Sequence, residues 1–202
     1  MTTLTVIRAD VRRDLKDEDA ANYRWSDDEI DRAIEKAVLV YSSYCPLMQL
    51  DATIHTVDQG NTVSLATLTE RIDVVKVEHP VNNLPYPSRR FKVWGDLLTF
   101  QDGYTGDGGI CNIYWLKKHT LGATSTIPAA HDHIIAMGAV AFAVSSQAQY
   151  QVNLANTGGQ AVNKDYSSWA GAAFETFYRS LDQVRSYRPG KLVTGELIAE
   201  ES

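Results

Sequence analysis

Residues 134–144 read Ile-Ile-Ala-Met-Gly-Ala-Val-Ala-Phe-Ala-Val, an unbroken apolar run. At helical spacing such a run is apolar on every side, so the helix it forms must be covered on every side. One amphipathic partner cannot do that, and the chain must bring several elements around it. Ala136, Gly138, Ala139, Ala141 and Ala143 let neighbouring backbones approach closely. At 11 residues the run is well short of the roughly 20 needed to cross a bilayer. The expected setting is the centre of a soluble helical assembly.

The covering elements are visible on both sides. Leu4, Ile7, Val11 and Leu15 mark an amphipathic helix over residues 4–16. Arg8, Arg12 and Arg13 fall on its polar side, where a solvated face is the expectation. A second helix begins at Ser26. The Ser26 hydroxyl can accept the free N–H of Glu29, while the Glu29 carboxylate reaches back to the Ser26 N–H, a capping box. Trp25 before the cap and Ile30 after it are placed to staple the helix start. Asp27, Asp28 and Glu29 set negative charge against the positive end of the helix dipole. Ile30, Ala33, Ile34, Ala37, Val38 and Tyr41 form its apolar stripe, and Pro46 stops it. At the other end, Thr126-Ile127-Pro128 reopens helix. A polar loop is expected over 153–163, and a last helix follows with Tyr166, Trp169, Ala170, Ala173, Phe177, Leu181 and Val184 inward. Pro189 and Gly190 close it.

Between these ends the period changes from 3.6 to 2. Segments 53–57, 62–65, 73–79, 90–94, 97–100 and 110–116 alternate as short strands. Gly95-Asp96 and the glycine-rich stretch 102–109 are expected hairpin connections. Trp94, Tyr114 and Trp115 are expected in cross-strand packing. The fold class is therefore α+β: a helical bundle platform of about four helices with an inserted small antiparallel β domain. Residues 1–48 and 120–188 are assigned to the platform, 49–119 to the insertion and 189–202 to a C-terminal tail.

Composition and motifs narrow the chemistry. A net charge of -6 gives no basic footprint for tight nucleic-acid binding, though an acidic wall can let DNA pass without sticking. Arg89, Arg90 and Lys92 supply only part of what a base-stacking platform requires. Cys45 and Cys111 have no metal-ligand spacing and read as free thiols. The N-terminus lacks a signal-peptide pattern, so synthesis in the cytoplasm is expected. His131 and His133 could serve a metal-dependent hydrolase, but side chains at i and i+2 of a helix start diverge, and no Cys or Glu nearby completes a set. The 102–109 stretch lacks the EF-hand ligand pattern, with Tyr104 and Gly106 where oxygens belong. No nucleophile motif occurs around Ser145 and Ser146. Lys117-Lys118-His119 reads as a solvated strand end. No cofactor and no metal are expected.

A resemblance runs along the chain in order. Arg24-Trp25-Ser26-Asp27-Asp28-Glu29-Ile30, then Ala33, Ile34 and Ala37, the breaker Cys45-Pro46, and Ala52-Thr53-Ile54 come first. Val74-Val75-Lys76-Val77, Leu97-Leu98-Thr99-Phe100, Ile113-Tyr114-Trp115, His119-Thr120-Leu121 and Thr126-Ile127-Pro128 follow. Over residues 3–187 this series resembles the head–tail connector (adaptor) proteins of tailed bacteriophages. The resemblance implies a structural, non-catalytic virion protein made in the host cytoplasm and located at the neck. Copies form a ring, usually dodecameric, that docks under the portal, extends the DNA channel and carries the tail or next connector. It further implies that a C-terminal segment docks on the portal, with Leu192, Val193, Leu197 and Ile198 as the anchors here. Asp102, Tyr104 and Asp107 would then contact the tail-side partner or a neighbouring copy. The β insertion departs from the simpler all-helical connectors. A DNA-packaging accessory protein and a virion-associated metal-dependent hydrolase are the alternatives.

Overall fold

The computed structural model describes residues 3–57, 60–81, 84–154 and 160–186, with side chains left out over 151–165 and at 186. The fold is α+β. In chain order, α1 (Leu4–Leu15) and α2 (Asp27–Tyr44) precede six strands: β1 (Leu47–His55), β2 (Thr62–Ser64), β3 (Arg71–Glu78), β4 (Phe91–Trp94), β5 (Leu97–Phe100) and β6 (Ile110–Lys117). A 3₁₀ turn (Ala129–His131), α3 (Asp132–Leu154) and α4 (Gln160–Ser186) follow. Among the described residues no helix is long and apolar enough to cross a membrane. The chain divides into two compact units. Val38–Ile127 form one, and the described residues up to Ala37 and from Pro128 form the other. The first division falls inside α2.

In the helical unit α3 is the axis, packed against α1 and α4. Ile134, Ile135, Ala136, Ala139, Val140, Ala141, Ala143 and Val144 are all buried, as an all-round apolar helix requires. Ile7, Val11 and Leu15 supply the α1 side, and Ala170, Phe177 and Leu181 the α4 side. Trp169 was expected inward but is 38% exposed. It stacks on Tyr166 at the rim, with ring centroids 6.3 Å apart. α3 runs on to Leu154 and α4 begins at Gln160, both inside the span 153–163 expected as a loop.

The β unit holds two three-stranded antiparallel sheets, ordered β1-β6-β3 and β2-β5-β4. Both contribute to one core. Val63, Leu98 and Phe100 come from the second sheet, and Ile54, Val74, Val77, Cys111, Ile113 and Trp115 from the first. β1 begins at Leu47, earlier than its alternating pattern suggests, directly after Pro46 ends α2. Its register slips between Asp51 and Ile54, where Asp51 Oδ1 accepts the Thr53 N–H at 2.8 Å and turns the strand locally. Gly95 and Asp96 form a two-residue hairpin, with Trp94 opposite Leu97. Trp94 is 69% exposed, in contrast to Trp115. β4 shows one face to solvent at the sheet edge, and Lys92 Nζ lies 4.8 Å from the Trp94 ring centre.

The 102–109 stretch is not a hairpin, since β5 and β6 belong to different sheets. His119 is not at a solvated strand end either. It is buried, its N–H donates to Ser42 Oγ at 3.0 Å, and its Nε2 lies 2.9 Å from the Cys45 carbonyl. The close of α2 is thereby given side-chain partners.

Gly138 tests the tightness of the helical core. A Cβ there would sit 2.6 Å from Phe177 Cε2 and 2.9 Å from Ala37 Cβ. Alanine favours a helix over glycine by about 1 kcal/mol, but overpacking costs about 1–3 kcal/mol. Gly138→Ala is expected to lower the urea midpoint. A raised midpoint would mean that the Phe177 ring yields at little cost.

Candidate functional site

The start of α2 is built as the sequence implies. Ser26 N–H donates to Glu29 Oε2 at 2.8 Å, and Glu29 N–H donates to Ser26 Oγ at 3.3 Å. Trp25 and Ile30, on either side of this box, are buried. The Trp25 indole N–H reaches the Ala143 carbonyl in α3 at 3.4 Å. An aromatic residue before the cap thus ties the helix start to the central helix.

The cap is held from the other side by charge. Arg12 was expected in solvent, yet its side chain is only 7% exposed. Its guanidinium donates to Asp17 Oδ2 at 2.8 Å, Asp27 Oδ1 at 2.6 Å and the Trp25 carbonyl at 3.2 Å. It also lies 3.4 Å from the centre of the Tyr23 ring. Asp17 in turn accepts the N–H groups of Arg24 at 2.7 Å and Trp25 at 3.2 Å. Arg8 grips Asp31 with two bonds, at 2.8 and 2.6 Å, so it too departs from a solvated face. Arg13 does lie outside, paired with Asp10. Long-range partners 5 and 15 residues away decide Arg12's fate, and local periodicity carries no signal of them.

Asp27 is held below the usual carboxylate range, chiefly by its bond from Arg12 and further by the charges of Arg8 and Arg12. In the β unit, burial pushes Glu78 up, but donors from Lys76, Asn112 and Tyr114 outweigh it and the net direction is down. Their bonds are 2.6, 3.3 and 3.0 Å. Burial also pushes the Cys111 thiol up to about 11, which leaves little thiolate for chemistry.

The three residues of the expected contact loop are all engaged within the β unit. Asp102 accepts the Tyr104 N–H at 3.2 Å and pairs with Arg89 at 3.4 Å. Tyr104 is half-buried, edge-on to Phe100 at 5.6 Å, with the Arg89 guanidinium 3.9 Å from its ring centre. Burial, with help from the Asp107 charge, raises its phenol. Asp107 accepts the Gly109 N–H at 2.8 Å, the first cause that holds its carboxyl low. A Cβ on Gly106 would lie 2.5 Å from the Val57 carbonyl, so only glycine fits this close approach. The loop is a packed crossover between sheets.

His131 ends the 3₁₀ turn and His133 is exposed in the first turn of α3. Among the described residues no three His, Cys, Asp or Glu side chains are grouped to hold a metal ion. Leu192, Val193, Leu197 and Ile198 lie outside the described residues.

Two outcomes test this geometry. Arg12→Met is expected to cost about 3–5 kcal/mol by stranding the buried Asp17 carboxylate, while Arg13→Ala stays within about 0.5 kcal/mol; urea unfolding of both variants measures the contrast. Because Glu78 is lowered in the fold, its contribution is complete above its unfolded value of about 4.3 and fades as pH falls through the folded one. Glu78→Gln should therefore flatten the acid side of the stability profile, and an unchanged acid slope would count against this role.

No protein-family model matches this chain, and no curated protein matches it.

Proposed function

We propose that this chain is a ring-forming head–tail connector of a tailed bacteriophage. In this reading it is a non-catalytic virion protein at the neck that docks under the portal, surrounds the DNA channel and presents a surface to the tail. The observation that carries the reading is the organisation of the chain. Its two ends combine into one helical unit, and a β unit is inserted between them within the same order of motifs that resembles the connectors. The capped, charge-clasped start of α2 suits a platform whose helices must keep fixed angles from copy to copy.

Exposed apolar side chains support self-association. Tyr178 on α4 is 39% exposed and Leu39 on α2 is 54% exposed, in addition to Trp169. In a closed ring the same two patches recur on every subunit, so each such residue counts once per copy. The acidic balance of the chain suits a channel through which DNA slides.

Mass photometry of the protein alone and mixed with a portal ring from the same source tests the proposal. Ring-sized particles, alone or on the portal, are expected; a monomer that ignores the portal would overturn it. Trp25→Ala should shift the population from ring to monomer at equal concentration while the far-ultraviolet dichroism stays helical. Unchanged assembly would reduce the staple to a local role.

A further inference from the structure

The second sheet turns its inner face to the core through Val63, Leu98 and Phe100, with Phe91 and Val93 packed against the same cluster. Strand alternation then puts Lys92 and Trp94 of β4 on the opposite face, with Leu97 and Thr99 of β5 and Thr62 and Ser64 of β2. The registers align them in two rows. Trp94 is opposite Leu97 and Leu97 is opposite Ser64, while Lys92 is opposite Thr99 and Thr99 is opposite Thr62. The ladder goes on beyond β4, because the Gln101 N–H donates to the Arg90 carbonyl at 2.9 Å. Arg90, Lys92 and Trp94 thus follow one another at every second residue, all exposed, with about 7 Å between neighbours along the strand.

A ring left 69% exposed on a strand adds little to the core, and its flat face is open for stacking. Lys92 Nζ stands 4.8 Å from the centre of that ring. The remaining members of the rows, Leu97, Ser64, Thr99 and Thr62, are uncharged. Asp96, at the hairpin turn, is paired with Arg71 at 3.2 Å. Arg89 is engaged elsewhere, since it donates to the His79 carbonyl at 2.6 Å and covers the Tyr104 ring. Of the three basic residues between 89 and 92, Arg90 and Lys92 are therefore the two that serve this face.

We propose that this face binds single-stranded nucleic acid, with a base stacked on Trp94 and adjacent phosphates on Lys92 and Arg90. Charge and shape together set the occupant. Two cations in line with an open aromatic ring fit a backbone of repeating anions that carries a flat base at each step. A duplex keeps its bases stacked on one another and offers Trp94 none. An acidic peptide would answer the cations but gives the indole no flat partner. The net charge of -6 does not oppose the contact at short range, because exposed charges more than about 10 Å away are largely screened at 0.1 M salt. Such binding tolerates any sequence, since every base has a π-face. Neither a ring nor a portal is needed for it.

Fluorescence anisotropy of labelled oligothymidylate and oligouridylate with the intact chain tests the proposal, and the two arms separate DNA from RNA. Binding of at least one is expected at about 50 mM salt, with log K falling against log salt at a slope of about -1.4, as for two phosphates of a single strand. Trp94→Ala should weaken binding by about tenfold, as the loss of one stacked base does, and Trp94→Tyr should retain most of it. Lys92→Gln and Arg90→Gln should each flatten the slope by about 0.7. An unchanged urea midpoint in Trp94→Ala shows that the loss is not one of folding. No binding of either oligonucleotide, undiminished binding in Trp94→Ala, or equal affinity for a duplex or for polyglutamate would each overturn the proposal and leave Arg90 and Lys92 as guards of an open sheet edge.

Discussion

The buried guanidinium of Arg12 is the interaction on which the helical unit depends. It lies where α1, the 16–25 connection and the start of α2 converge, and it bonds to a side chain or carbonyl from the latter two. Removing a guanidinium from water costs several kcal/mol, and the cost is met here because two carboxylates, a carbonyl and an aromatic face receive it. Asp17 then passes the constraint on by holding the N–H groups of Arg24 and Trp25. The position of the Trp25 ring, and with it the direction in which α2 starts, is fixed by a charge on another helix. The capping box makes the helix begin; the clasp determines where it points.

The parts of this architecture that were legible in the sequence are those governed by neighbours in the chain. The stripe from Ile30 to Tyr41 is buried as its spacing requires, and the turn at Gly95 and Asp96 is the hairpin its residues imply. The parts that were not legible depend on residues far away. Arg12 carries the same polar signature as Arg13, and its partners Asp17, Asp27, Tyr23 and the Trp25 carbonyl distinguish it. Trp94 and Trp115 sit in similar alternating strands, yet one is at a solvent-facing edge and the other in the shared core. The 102–109 crossover looked like a hairpin because its composition reports a turn and says nothing about which sheet the next strand will join.

Of the candidate contact residues, the sequence located the loop but not its internal chemistry. His79, 28 residues away in sequence, sets its ring 3.0 Å from Asp107 Oδ1 and has no motif around it. The contact comes from the meeting of β3, β6 and the crossover. Such pairings arise from topology and leave no periodic trace.

The strand order β1-β6-β3 has a consequence for how the β unit comes into being. The central strand is the last of the six to be synthesised, more than fifty residues after β1 ends at His55. Until Ile110–Lys117 emerges, β1 and β3 are two open edges with no partner in their own sheet, and β2, β4 and β5 can pair first around a core that still lacks Cys111, Ile113 and Trp115. Long-range closure of this kind slows folding and leaves unpaired backbone available to other chains. The arrival of β6 is the event that separates a finished β unit from a template for misassembly.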